Sequence, residues 1–66
     1  MGVYGMTSTT FKLARKYLNL SQRDLALVWG MGLNGERTIR RWEQGEVPVN
    51  PIAAYCIKLM QQKQSQ

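Results

Sequence analysis

Glu36, Arg37, Arg40, Arg41 and Gln44 would share the outward side of one short segment, Glu36-Arg37-Thr38-Ile39-Arg40-Arg41-Trp42-Glu43-Gln44-Gly45, if that segment is helical. A guanidinium is a planar fork of donors that matches guanine O6 and N7 in a major groove. A neighbouring glutamate can accept from cytosine N4 and repels a misplaced phosphate. Arginine contacts to phosphate add affinity and register but carry little sequence information. The ordinary alternative is a solvated basic face. Other chemistry is poorly supplied. The chain has no histidine and one cysteine, Cys56, so neither an internal disulfide nor a zinc site of cysteine and histidine ligands is expected. Cys56 reads as a small apolar core residue. With no nucleophile–base pair and little chain to enclose a pocket, the sequence does not read as an enzyme, and no cofactor or metal is expected.

A reading surface of this kind needs a rigid support. Ile39 and Trp42, at i and i+3, form the inward pair of a helix over about residues 36–44, with Glu43 beside them and Gly45 as its stop. Ahead of it, Ser21 precedes Gln22 and has Asp24 three residues on, close to a capping box. Leu25, Ala26, Val28 and Trp29 make the inward face of that helix, which Gly30 ends. Ala26 is the small residue that a tight helix crossing requires. The two helices are joined by Gly30-Met31-Gly32-Leu33-Asn34-Gly35, a turn rich in residues tolerant of positive φ.

Two further helices flank this pair. The first starts near Thr9 or Thr10, buries Phe11, Ala14 and Leu18 with Leu13 and Tyr17 widening the stripe, and ends at Asn19. After the extended link Glu46-Val47-Pro48-Val49, Asn50-Pro51 reads as a cap followed by proline at the first helical position. Ile52, Ala53, Cys56, Ile57, Leu59 and Met60 give the last helix a wide apolar face. Strand signals are absent. The expected fold is all-α, a compact bundle of about four short helices with Phe11, Leu18, Leu25, Ala26, Trp29, Ile39, Trp42, Ile52 and Cys56 in its core. Residues 1–8 read as a flexible arm, 9–62 as the domain and 63–66 as a polar tail.

Composition agrees with one small globular domain. The 66 residues are 44% hydrophobic, and nine Lys+Arg against four Asp+Glu leave a net charge of +5. A basic surplus on so small a body favours anionic partners, nucleic acid or an acidic membrane surface. No apolar run approaches a membrane span, and the N-terminus lacks the basic start and apolar run of a signal peptide, so a cytoplasmic protein is expected.

Taken in order, Leu20-Ser21-Gln22-x-x-Leu25-Ala26, then Gly30, then Thr38-Ile39-x-x-Trp42-Glu43-x-Gly45 resembles the Cro/CI-like (XRE) helix-turn-helix family of phage and bacterial repressors, over roughly residues 11–60. The resemblance implies a lambda-repressor-like fold and sequence-specific binding of double-stranded DNA by a transcriptional regulator of a phage or mobile element. Carried over residue by residue, it makes Gln22 a phosphate contact and places Glu36 and Arg37 on base edges. It gives Arg41 a base-reading role one turn on, with Arg40 beside it. Gln44 would touch the DNA backbone, with Arg23 and Thr38 as further phosphate contacts. Arg15 and Glu43 would form a structural ion pair. The turn before Thr38 is longer than the family's usual spacing, and Gly35 or Asn34 stands where a serine commonly caps the reading helix. The insertion could shift that helix's entry angle or add backbone N–H contacts to phosphate.

Such domains usually bind palindromic operators as homodimers, with half-sites about one helical turn apart. Ile52, Tyr55 and Leu59 on the last helix are the candidate dimer surface. Read as a whole protein, the chain carries no effector domain, leaving control to abundance, operator competition or a partner. Two other functions fit the same scaffold. One is a DNA-binding antitoxin that masks a toxin, and the other is a protein-interaction adaptor that no longer touches DNA.

Overall fold

Four helices, α1 (Ser8–Tyr17), α2 (Gln22–Val28), α3 (Gly35–Gln44) and α4 (Pro51–Gln64), make up the computed structural model of this chain, which describes residues 6–32 and 34–64. There is no strand among the described residues, and the expected all-α bundle is what forms. α2 packs on α3, while α1 packs on both α3 and α4.

Local chemistry accounts for the helix ends. Thr7 caps α1, its hydroxyl accepting from the Thr10 N–H at 3.1 Å, so the helix begins ahead of the expected Thr9 or Thr10. Ser8, assigned to the arm, is therefore helical; residues 1–5 of that arm lie outside the described residues. Ser21 and Asp24 close a full capping box on α2. At α4, Asn50 Oδ1 accepts from the Ile52 N–H at 2.8 Å. That helix continues to Gln64, through the first half of the expected tail, and residues 65 and 66 are outside the described range.

The core is Phe11, Ala14, Leu18, Leu25, Ala26, Ile39, Trp42, Val49, Ala53, Ala54 and Ile57. Phe11 is its centre, edge-on to Trp42 at 5.6 Å and to Trp29 at 6.3 Å between ring centroids. Such edge-to-face pairs gain from ring quadrupoles as well as from burial. The indole N–H of Trp29 donates to Met60 Sδ at 3.4 Å, linking the end of α2 to α4.

Several apolar residues are placed differently from the sequence reading. Ile52, expected in the core, is 72% exposed. Successive helical residues turn by about 100°, so once Ala53, Ala54 and Ile57 face inward, Ile52 is carried to the far side. The same rotation exposes Val28 on α2 and Leu13 and Tyr17 on α1, which fall outside the arc that Phe11, Ala14 and Leu18 bury. Trp29 and Cys56, also expected in the core, are only partly buried at its edge.

The crossing of α2 and α3 is as close as Ala26 suggested. A Cβ added to Gly35 would overlap Met31 Cβ and come within 2.9 Å of Ala26 Cβ. α3 therefore starts at Gly35, one residue before the expected Glu36, with its bare backbone against α2. The turn between them is tied down at both ends. The Met31 N–H donates to the Ala26 carbonyl at 2.9 Å, and the Gly35 N–H donates to that of Gly32 at 3.1 Å. Asn34 precedes α3 but its side chain makes no capping hydrogen bond.

Candidate nucleic-acid interface

α3 has two faces. Gly35, Ile39 and Trp42 are buried, whereas Arg37, Arg40, Arg41 and Gln44 are exposed. The four exposed side chains and Glu46 line one shallow recess on the surface. The sequence-predicted base contacts Arg37, Arg40 and Arg41 are thus brought together, with Glu36 half-buried beside them.

The arginines differ in their surroundings. Arg40 Nη2 donates to Glu36 Oε2 at 3.4 Å, one turn back on the helix. Arg41 Nε donates to Glu46 Oε1 at 3.2 Å. Among the described residues, no carboxylate forms an ion pair with Arg37. Glu46 is the member of this surface that the sequence reading missed. Gly45 at φ 80° turns the chain back on itself, and the Glu46 N–H donates to the Arg41 carbonyl at 3.0 Å while the Gly45 N–H donates to that of Trp42 at 3.2 Å. These are the paired bonds of a Schellman ending. An acidic residue directly after a helix-terminal glycine was the available signal, because this ending returns it to the last turn.

Behind the exposed face lies a second cluster. Arg15 donates from Nε to Glu43 Oε2 at 2.6 Å and from Nη2 to Glu43 Oε1 at 3.0 Å, the ion pair expected from the resemblance. Arg15 Nη1 also donates to the Leu20 carbonyl at 2.8 Å. Gln22 Nε2 donates to Glu43 Oε1 at 3.1 Å, so one N–H of this predicted phosphate contact is spent inside the protein. An amide nitrogen carries two hydrogens, and the second remains for a ligand.

The other predicted phosphate contacts are less uniform. Arg23 is exposed on α2, and Gln44 is exposed on α3. The Thr38 hydroxyl donates to the Asn34 carbonyl at 3.1 Å, which commits its hydrogen to the helix but leaves its oxygen lone pairs. Among the described residues, no group of His, Cys, Asp and Glu side chains could hold a metal ion. No described helix is long and apolar enough to cross a membrane.

No family model matches this chain, and no solved structure matches it. Over 39 residues, 59% of the chain, it is 54% identical to the type II methyltransferase M1.ScrFI of Lactococcus lactis subsp. cremoris. Over a segment of the same length it is 44% identical to the type II methyltransferase M.SsoII of Shigella sonnei. The matched segment is 10% of each of those proteins, so the chain spans about a tenth of the length of the curated relatives it matches. The likeness is to a short stretch of two type II methyltransferases, and not to a whole enzyme.

Proposed function

We propose that this protein is a sequence-specific double-stranded DNA-binding regulator of transcription, a repressor of the Cro/CI-like kind, that inserts α3 into the major groove. The observation carrying this reading is the division of α3 itself. Arg37, Arg40, Arg41 and Gln44 stand exposed on one side, and Gly35, Ile39, Trp42 and the Arg15–Glu43 pair hold the other side rigidly. Guanidinium forks carried on a packed helix suit base edges, and Arg23 and the second N–H of Gln22 suit phosphates. Glu36 would accept from a cytosine or exclude a phosphate. The stretch shared with two type II methyltransferases is a tenth of their length, which suits a DNA-binding fragment better than a whole enzyme.

The operator on this reading is palindromic and the protein a homodimer. Support comes from α4, where Ile52, Tyr55 and Leu59 are 72%, 64% and 40% exposed. They recur at i, i+3 and i+7, an apolar line suited to a second copy. Promoter occlusion is the simplest mode of action.

Selection of bound sequences from a random duplex pool, with Arg37→Ala in parallel, tests the proposal. The expected result is an enriched palindrome whose guanine preference weakens in the variant at one position per half-site. Recovery of a pool that stays random overturns it in favour of a protein-interaction role.

A further inference from the structure

We propose that Glu46 is a specificity-determining residue that orients Arg41 for guanine; the proposal rests on the DNA-binding reading above. A guanidinium offers two bidentate edges, one formed by Nε with a terminal nitrogen and the other by its two terminal nitrogens. Glu46 Oε1 engages Nε of Arg41 at 3.2 Å. With Nε occupied, the terminal fork of Arg41 is the edge left for guanine O6 and N7. Arg40 is held differently, since Glu36 engages it through Nη2, one prong of that terminal fork, at 3.4 Å.

The placement of Glu46 does not depend on charge attraction alone. Its own N–H donates to the carbonyl of the residue it orients, at 3.0 Å, across a glycine at φ 80°. The backbone thus delivers the carboxylate to the Arg41 side chain. Both side chains are about half exposed, 51% and 53%, so the pair adds little to stability. Its effect is directional. Glu46 also borders the recess formed with Arg37, Arg40, Arg41 and Gln44, where its negative charge opposes a phosphate that arrives without a correctly placed base. Orientation raises specific affinity and repulsion lowers non-specific affinity, and both widen the ratio between them.

Two substitutions separate these effects. Glu46→Ala removes acceptor and charge together, whereas Glu46→Gln removes the charge but keeps a carbonyl oxygen that can still accept from Arg41 Nε. The operator selected by the parent is synthesised with 7-deazaguanine at each guanine in turn, which deletes the N7 acceptor. The guanine whose substitution no longer matters in Arg41→Ala is the one that Arg41 reads. Glu46→Ala is expected to bind random duplex more tightly than the parent and to lose about two- to fivefold of its preference at that guanine. Glu46→Gln should bind random duplex more tightly while keeping the preference. Retention of the full guanine preference in Glu46→Ala, with its fold intact by circular dichroism, overturns the proposal and leaves the DNA-binding reading standing. Failure of the parent to enrich any sequence overturns that reading itself, and this proposal with it.

Discussion

Arg15 and Glu43 are joined by two hydrogen bonds, Nε to Oε2 at 2.6 Å and Nη2 to Oε1 at 3.0 Å, with the two side chains 10% and 3% exposed. The pair spans α1 and α3. Through Gln22 it also reaches α2, so three helices meet at one carboxylate. Among the described residues, no buried side-chain nitrogen or oxygen lacks a partner. Glu43 lies between Trp42 in the core and Gln44 on the surface, so the ion pair secures α3 from behind its exposed face.

Glu43→Ala would leave the Arg15 guanidinium buried without its carboxylate, a change expected to cost about 3–5 kcal/mol. Urea denaturation followed by circular dichroism measures it. Arg15→Met combined with Glu43→Leu should recover much of that loss, because two apolar side chains avoid the desolvation of two charges.

Gly35→Ala places a methyl group against Met31 and Ala26, and is expected to cost about 1–3 kcal/mol through overpacking. Gly45→Ala has ordinary space around the new Cβ, with Ser8 Oγ at 3.8 Å, but pays for φ 80° with about 1–2 kcal/mol. The two differ in kind. Gly35→Ala should also weaken DNA binding by moving α3, whereas Gly45→Ala should act through Glu46 and alter base preference.

Phe11→Ala removes the ring between Trp29 and Trp42 from a site that is 0% exposed. The expected loss is about 3–5 kcal/mol. Near-ultraviolet circular dichroism should lose its tryptophan signal at a lower denaturant concentration than in the parent.

Arg23→Ala is expected to weaken binding to all duplexes about equally and to reduce the slope of log K against log salt by about 1. A binding titration at several salt concentrations reads this. A change confined to one base position would instead place Arg23 in the groove.

Ile52→Asp should leave stability within about 0.5 kcal/mol of the parent, since Ile52 is 72% exposed. Sedimentation with the operator should then show loss of the two-protomer complex. An unchanged dimer would move the contact surface away from this part of α4.

The helix-turn-helix core was legible because several local signals agree there. Ser21 and Asp24 cap α2, Ala26 permits the close crossing, and Ile39 with Trp42 sets the inward side of α3. The Arg15–Glu43 pair was legible only through family resemblance, because no local rule joins residues so far apart. Ile52, Val28, Leu13 and Tyr17 were misplaced for a single reason. An apolar residue next to an inward position widens a stripe on paper, yet it is turned away once tertiary contacts choose the buried arc of the helix. Glu46 was missed because it lies outside the helix in sequence and returns to it only through the left-handed glycine.

The segregation of α3 has a consequence for how this protein can change. Gly35, Ile39, Trp42 and Glu43 hold the helix in place, and Arg37, Arg40, Arg41 and Gln44 take no part in the core. Replacements at those four exposed positions therefore leave folding nearly untouched while altering what the surface presents. On the DNA-binding reading proposed above, selection would be able to rewrite the target one letter at a time, with no intermediate in that drift passing through an unfolded chain.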